Sequence, residues 1–267
     1  GNTQAAHVAY ARKLLAGLPA PIAEAAGNPL GATALIHCLL LCAREPGGEG
    51  GTGREDGVDR VTAQEIARIQ PFVSTLGPAQ RLPLVDLAWP ALKSLSGAQY
   101  REFRTAVLRL IEADRKVDLF EFLVLSLLTN RLDTFFGLAK PRKIRYSLLD
   151  QVQMECFELL SILARQGSEN EEAAGEAFRK AIAVLGVGRP PAILPAEKCS
   201  VPLLGRTLAR LAETAFDLRK RILNACLLCI GADRRITVAE AELLRAVAEN
   251  LDCPVPPVIP GAVAGAA

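Results

Sequence analysis

The sequence predicts an all-α fold made of two tandem helical modules that are related by internal duplication, and three observations support this prediction. The 267 residues are half apolar but include only nine Phe, three Tyr and one Trp. This composition, rich in Ala, Leu, Glu and Arg, favours helix over sheet. Apolar residues also recur at helical spacing. The third observation is that the chain matches itself at a fixed offset.

The internal match aligns residues 82–133 with residues 201–252 without a gap, at an offset of 119 (201 minus 82). Of the 52 aligned pairs, 13 are identical, and they include Ala113-Asp114-Arg115 with Ala232-Asp233-Arg234. Upstream the match is looser, because a glycine-rich stretch at 45–54 has only a short counterpart in the second copy. The sequence therefore predicts two copies of one module.

The repeat divides the chain into five segments. They are a helical lead-in at 1–27, a first module at 28–138, a basic linker at 139–146, a second module at 147–253 and a Pro-, Gly- and Ala-rich tail at 254–267.

Each module contains a helix whose buried stripe follows from its apolar spacing. The predicted stripes are Phe103, Val107, Leu110 and Ile111 in the first module, and Ile222, Leu223, Leu227 and Ile230 in the second. The next helices are expected to begin around Asp118 and Thr237, which are good N-cap residues. Glu121 and Glu240 follow three positions later, so both copies carry a capping box.

Composition also argues against several classes of protein. The 31 basic and 29 acidic residues give a net charge of +2, too balanced for a dedicated nucleic-acid binder. Seven thinly spread cysteines do not form a secreted disulfide framework and indicate a reducing compartment. No apolar run reaches the roughly 18 residues of a membrane helix. The sequence starts without a signal-peptide pattern and does not begin with Met, which suggests a fragment.

The two helix junctions resemble the helix-break-helix signature of TerB-like domains, the helical fold named for tellurite-resistance proteins. The resemblance is carried by Ile111-Glu-Ala-Asp-Arg-Lys-Val-Asp-Leu-Phe-Glu and Ile230-Gly-Ala-Asp-Arg-Arg-Ile-Thr-Val-Ala-Glu. A wider match is similar to the cytosolic C-terminal region of bacterial membrane peptidases of the M48 (Ste24-like) family. It runs through 14–19, 31–41, the Arg-Leu-Pro-Leu-Val-Asp-Leu-Ala-Trp-Pro-Ala-Leu-Lys string at 81–93 and the ending at 242–254.

This resemblance implies a non-catalytic regulatory or protein-interaction domain of a membrane-bound zinc metallopeptidase. The domain would lie on the cytoplasmic side, tethered to the inner membrane by upstream segments, and would contact a protein partner or the parent's own peptidase domain. In that family a His-Glu-x-x-His helix holds the zinc. Here the only histidines, His7 and His37, are not followed by Glu. We therefore expect no catalytic residue and no cofactor in this chain, and zinc in the missing upstream domain.

The acidic helix junctions allow an alternative function, that of a metal-responsive TerB-type stress protein that binds divalent cations. Its candidate ligands are Asp114, Asp118, Glu121, Asp233 and Glu240. Their spacing does not match an EF-hand loop. Helix capping explains the two glutamates without a metal, and capping is the role that we expect.

Two cysteine pairs and one histidine remain as candidates for chemistry. Cys226 with Cys229, and Cys38 with Cys42, lie in apolar helices, where we expect small core residues rather than a redox or zinc motif. His37 is expected to be a partly buried helix residue, because no neighbouring pattern supports a catalytic triad. A stand-alone hydrolase is the weakest alternative for the same reason.

The predicted linker carries four positive charges, on Lys140, Arg142, Lys143 and Arg145. In a domain tethered near a membrane these side chains would contact anionic headgroups. A solvated connector is the role that we expect, because charge runs usually face water. We expect no nucleic-acid partner.

Overall fold

The computed structural model describes residues 17–44, 57–113, 117–139, 142–188, 191–233 and 236–253. These residues are mostly helical and contain no β-strand, so the all-α prediction is confirmed. The chain divides into two compact units between Ala139 and Lys140.

The first unit is built around one apolar helix. Its helices are α1 (Ala20–Ala26), α2 (Pro29–Arg44), α3 (Arg60–Val73), α4 (Pro78–Lys93), α5 (Gly97–Glu112) and α6 (Leu119–Leu127). α2 packs against each of the other five helices, and every residue from 31 to 40 is buried. After α6 the chain continues through a π-helical turn, Leu128–Leu132, into a last helical turn, Asp133–Phe135.

The close approach of α1 to α2 depends on a glycine. A Cβ atom at Gly31 would lie 2.5 Å from the Cα atom and the carbonyl oxygen of Ala25, closer than any packed contact. Among the described residues, no single helix is long and apolar enough to cross a membrane, although α1 and α2 pass that test as a pair bent by 115°.

The second unit repeats this plan around α7. Its helices are α7 (Gln153–Gln166), α8 (Glu171–Val184), α9 (Val201–Leu211), α10 (Phe216–Ile230) and α11 (Val238–Asn250), with short 3-10 turns at Leu149–Val152, Ala196–Lys198 and Gly231–Asp233. α7 packs against α8, α9, α10 and α11, as α2 packs against α3, α4, α5 and α6. This agreement is consistent with a duplication, which remains a hypothesis drawn from the sequence.

The predicted stripes are buried with one exception. Leu227 is 42% exposed, so its assignment to the core of the second unit is wrong. The neighbouring residue Cys226 is fully buried instead. Ile222, Cys226 and Ile230 are spaced four residues apart, so they lie on the same, inward face of α10. Leu108, which the repeat aligns with Leu227, is also only partly buried.

A candidate ligand pocket around His37

Both predicted capping boxes are present. The Asp118 carboxylate accepts the backbone N–H of Glu121 at 2.7 Å, and the Glu121 carboxylate accepts the backbone N–H of Asp118 at 3.1 Å. In the second unit the Glu240 carboxylate accepts the backbone N–H of Thr237 at 2.7 Å, and the Thr237 hydroxyl accepts the backbone N–H of Glu240 at 3.2 Å. Both glutamates are only 1% exposed. Capping is therefore confirmed as a role of these acids.

The cation-binding prediction is not tested by this geometry. Among the residues that the structure describes, no group of three or more His, Cys, Asp or Glu side chains is placed to hold a metal ion. Asp114 and the side chain of Asp233 lie outside the described part of the chain. Metal binding stays a prediction, which calorimetric titration with calcium, magnesium, manganese and zinc would test.

The paired cysteines are core residues, as expected. Cys38, Cys226 and Cys229 are buried, and Cys42 is partly buried. The Cys38 thiol donates to the Ile66 carbonyl at 3.6 Å. Burial raises the pKa of Cys226 well above its ordinary value and that of Cys229 to about 12. These thiols are therefore protonated at neutral pH and are poor nucleophiles.

His37 lies in the middle of α2 and is more deeply buried than the sequence suggested, with 3% of its surface exposed. Its Nδ1 is 2.8 Å from the Thr33 carbonyl oxygen, which can only accept, so Nδ1 carries the proton. Burial lowers the pKa of His37, which favours the neutral ring at neutral pH. Nε2 is then a lone-pair acceptor, and it has no hydrogen-bond partner among the described residues.

A cavity of about 460 Å³ lies beside this ring, within the first unit. Its apolar wall is formed by Pro29, Leu30, Val58, Leu95, Phe103 and Ala106. Its polar lining consists of Thr33, His37, Asp59, Thr62, Gln99 and Glu102. The ring of Phe103 meets that of His37 edge-on, with the centroids 5.6 Å apart, and holds the imidazole in place. Nδ1 is bonded to its own helix and Nε2 is itself buried, so the ring lines the cavity without opening either nitrogen to it.

Helix capping positions three residues of the polar lining of the cavity, Asp59, Thr62 and Gln99. Asp59 is the N-cap of α3 and accepts the backbone N–H groups of Val61 and Thr62, at 2.9 and 3.1 Å. The Thr62 hydroxyl donates to the same carboxylate at 2.6 Å. This hydroxyl, followed by the backbone donors, lowers the pKa of Asp59, so the carboxylate is charged at neutral pH. Gln99 closes the capping box of α5 through its side-chain oxygen, which accepts the backbone N–H of Ser96 at 2.9 Å.

Sequence reasoning found the burial of His37 but missed the cavity. The lining residues come from three separate stretches, 29–37, 57–62 and 95–106, which only the packing of α2, α3 and α5 brings together. The available signal was the lone imidazole itself. A histidine inside an apolar helix must find partners for both ring nitrogens, and its own helix supplies only one.

The predicted basic linker is tied to the second unit where the structure describes it. The Arg142 side chain donates to the Asn250 carbonyl at 2.6 Å. The Arg145 side chain pairs with Glu213 at 3.5 Å, and its backbone N–H donates to the Glu213 carbonyl. Lys140 lies outside the described residues, and Lys143 is exposed. The membrane-surface role of these residues stays a prediction.

Comparison of the chain with protein-family models, curated proteins and solved structures found no match. The TerB-like and M48-like resemblance therefore depends on the sequence strings alone.

Proposed function

We propose that this chain is a non-catalytic helical binding domain whose first unit takes a small ligand into the His37 pocket. The observation that carries this proposal is a cavity of about 460 Å³ in the first unit, which has an apolar wall and a polar lining that includes His37. Ligand pockets commonly occupy roughly 300–1,000 Å³.

Binding is favoured over catalysis by the state of the hydroxyls that line the pocket. A nucleophilic hydroxyl must donate to its base, at roughly 2.6–3.2 Å. The Thr33 hydroxyl instead donates to the Leu30 carbonyl, and the Thr62 hydroxyl donates to Asp59. Neither proton is directed to His37, which supports binding rather than catalysis at this pocket.

A steric block tests the binding function. Ala106 lines the pocket, and Ala106→Leu would fill part of it. Thr105→Leu is the matched control, because Thr105 is exposed and adjacent on the same helix. Ligand-observed NMR with a library of small amphipathic fragments at millimolar concentration should give binders to the wild type and to Thr105→Leu that are lost in Ala106→Leu. Binding that is indifferent to the Ala106 block would contradict the proposal.

The wider proposal is that the domain regulates, or recruits partners to, a membrane-bound M48-type zinc peptidase on its cytoplasmic side. Its support is the set of sequence strings that resemble that family. The gene sequence upstream of Gly1 tests it. We expect a His-Glu-x-x-His motif and hydrophobic spans there, and an upstream region with neither would refute the peptidase parent while leaving the pocket untouched.

A further inference from the structure

We propose that the His37 pocket takes a neutral, largely apolar small molecule and selects against ions of either sign. This inference rests on the proposed binding function of the same pocket and adds the chemical class of its ligand.

The floor of the pocket consists of its buried lining residues, Thr33, His37, Thr62, Leu95, Phe103 and Ala106. The Thr33 and Thr62 hydroxyls donate within the protein, to the Leu30 carbonyl and the Asp59 carboxylate. The His37 ring uses its N–H on the Thr33 carbonyl, and its other nitrogen is buried. The floor thus contains neither a carboxylate nor a remaining side-chain donor, so an ion of either sign that entered it would lose its water without replacement.

The helices α2, α3 and α5 begin at the pocket, and a side chain caps each of them. Asn28 accepts the backbone N–H of Gly31 in α2 at 2.8 Å, and Ser96 accepts that of Gln99 in α5 at 3.3 Å. In α3 the Asp59 carboxylate accepts two such groups. These caps use backbone donors that would otherwise attract an anion to a helix N-terminus.

The charges at the rim of the pocket oppose one another. Asp59 and Glu102 are exposed carboxylate residues of the lining. The Arg109 guanidinium lies beside Gly57 on the same rim, with Nη1 3.4 Å from the position that a Cβ atom at Gly57 would take. Exposed charges of both signs are weakened by water and salt, so the rim selects little for either sign. The floor and the rim together favour a ligand without a charge.

The volume of the pocket indicates the size of that ligand. Its 460 Å³ is roughly three times the 150 Å³ of an apolar protein cavity that binds one benzene molecule. A fused two-ring body fits within this volume. The ring of Phe103 and the side chains of Leu95 and Ala106 supply an apolar surface against which such a body packs.

Three naphthalene probes of similar size test the inference on the full chain by isothermal titration calorimetry. They are the neutral 2-naphthalenemethanol, the cationic 2-naphthalenemethylamine and the anionic 2-naphthoate. We expect the neutral probe to bind at least about tenfold more tightly than either ion, because a buried charge would lose hydration that the floor does not replace. Binding of either ion as tightly as the alcohol would overturn the inference and leave the binding function standing.

Two substitutions separate the apolar wall from the charged rim. Leu30→Ala, at a wall residue that is 38% exposed, should weaken binding of 2-naphthalenemethanol at least about fourfold, the effect of one buried CH₂ group. Leu138→Ala, at a leucine that is 40% exposed elsewhere in the first unit, is the matched control and should leave it unchanged. Glu102→Gln should also leave it unchanged. Weaker binding in Glu102→Gln but not in Leu30→Ala would show that the rim recognises the ligand, and the inference would be wrong.

Ring size provides a check that does not depend on charge. Benzyl alcohol has one ring fewer than 2-naphthalenemethanol and should bind at least about tenfold more weakly, because it buries less apolar surface. Equal affinity of the two alcohols would contradict recognition of an apolar body. If none of the four probes binds, the inference fails, while the fragment screen judges the pocket function independently.

Discussion

A buried polar cluster at the end of the first unit allows a quantitative test. The Tyr100 hydroxyl on α5 donates to the Asp133 carboxylate at 2.7 Å, and Arg104 Nε lies 2.8 Å from the same oxygen. Tyr100 is fully buried and Asp133 is only 6% exposed. The hydrogen bond raises the pKa of Tyr100, after the larger effect of burial, because it stabilises the protonated phenol.

Tyr100→Phe removes this hydroxyl and little else. A hydrogen bond to a charged group contributes about 1.5–3 kcal/mol. Asp133 keeps its ion pair with Arg104, whose side chain is 34% exposed and thus partly solvated. We therefore expect the free energy of unfolding of the first unit to fall by about 2 kcal/mol.

The assay uses the only tryptophan of the chain, Trp89, which lies on α4 of the first unit. Its fluorescence during urea titration reports the unfolding of that unit. With a slope of roughly 2 kcal/mol per M, the midpoint should fall by about 1 M. Tyr146→Phe in the second unit is the control and should leave the Trp89 transition unchanged.

Two results would refute this reasoning. One is a loss below about 0.5 kcal/mol in Tyr100→Phe, the size of an ordinary surface substitution. The other is strict additivity of Tyr100→Phe and Asp133→Asn in a double-mutant cycle, because residues in direct contact should show a coupling of about 0.5 kcal/mol or more.

Further predictions concern caps, packing and pH. Thr237→Ala should cost the second unit about 1 kcal/mol, measured by thermal unfolding, because it removes the N-cap of α11. Gly167→Ala should lower the free energy of unfolding by about 1–3 kcal/mol, because its Cβ would lie 2.0 Å from Glu240 Oε1. Gly175→Ala on α8 is the control. Its Cβ would meet only open space and one flexible side chain, so this substitution should be neutral or stabilising. The unchanged stability of Gly167→Ala would contradict the tight packing of that carboxylate. Burial lowers the pKa of His37 in the folded state, so its stabilising contribution is complete above the unfolded pKa of about 6.5 and is lost as the pH falls from there toward the folded pKa. Urea titrations followed by Trp89 between about pH 7 and about pH 5 should show that the wild type loses up to about 1.4 kcal/mol more free energy of unfolding per pH unit than His37→Phe loses. Parallel plots of this free energy against pH for the two proteins would refute the prediction.

The helical class and the helix junctions were predictable because the interactions that produce them are local. A capping box joins residues three positions apart, so Asp118 with Glu121 and Thr237 with Glu240 were predicted correctly from spacing alone. The burial of Cys38, Cys226 and Cys229 followed from apolar neighbours on the same helices. The TerB-like and M48-like resemblance, by contrast, stays a prediction.

The internal repeat predicted the burial and partners of a residue less well where these depend on a contact distant in sequence. Asp133 and Asp252 are aligned and identical, yet Asp133 is buried against Tyr100 while the side chain of Asp252 is 82% exposed at a residue with φ of +53°. The position of Tyr100 is taken in the second unit by Arg219, which donates to the carbonyls of Thr214 and Leu251 and meets Asp252 only as an ion pair at 4.0 Å. The π-helical turn before Asp133 also changes the rotation of the chain, and no pattern in the sequence predicted it.

The sequence by itself determined where helices begin and which residues are apolar enough to be buried, since propensity, capping and periodicity act within a few residues. Only the tertiary structure decided which side of a helix meets its neighbours, so Leu227 was misassigned by one position on α10. It also decided that three stretches far apart in the chain would enclose a cavity beside His37. The physical reason is that a cavity exists only where the packing of several helices leaves space, and that depends on all of them at once.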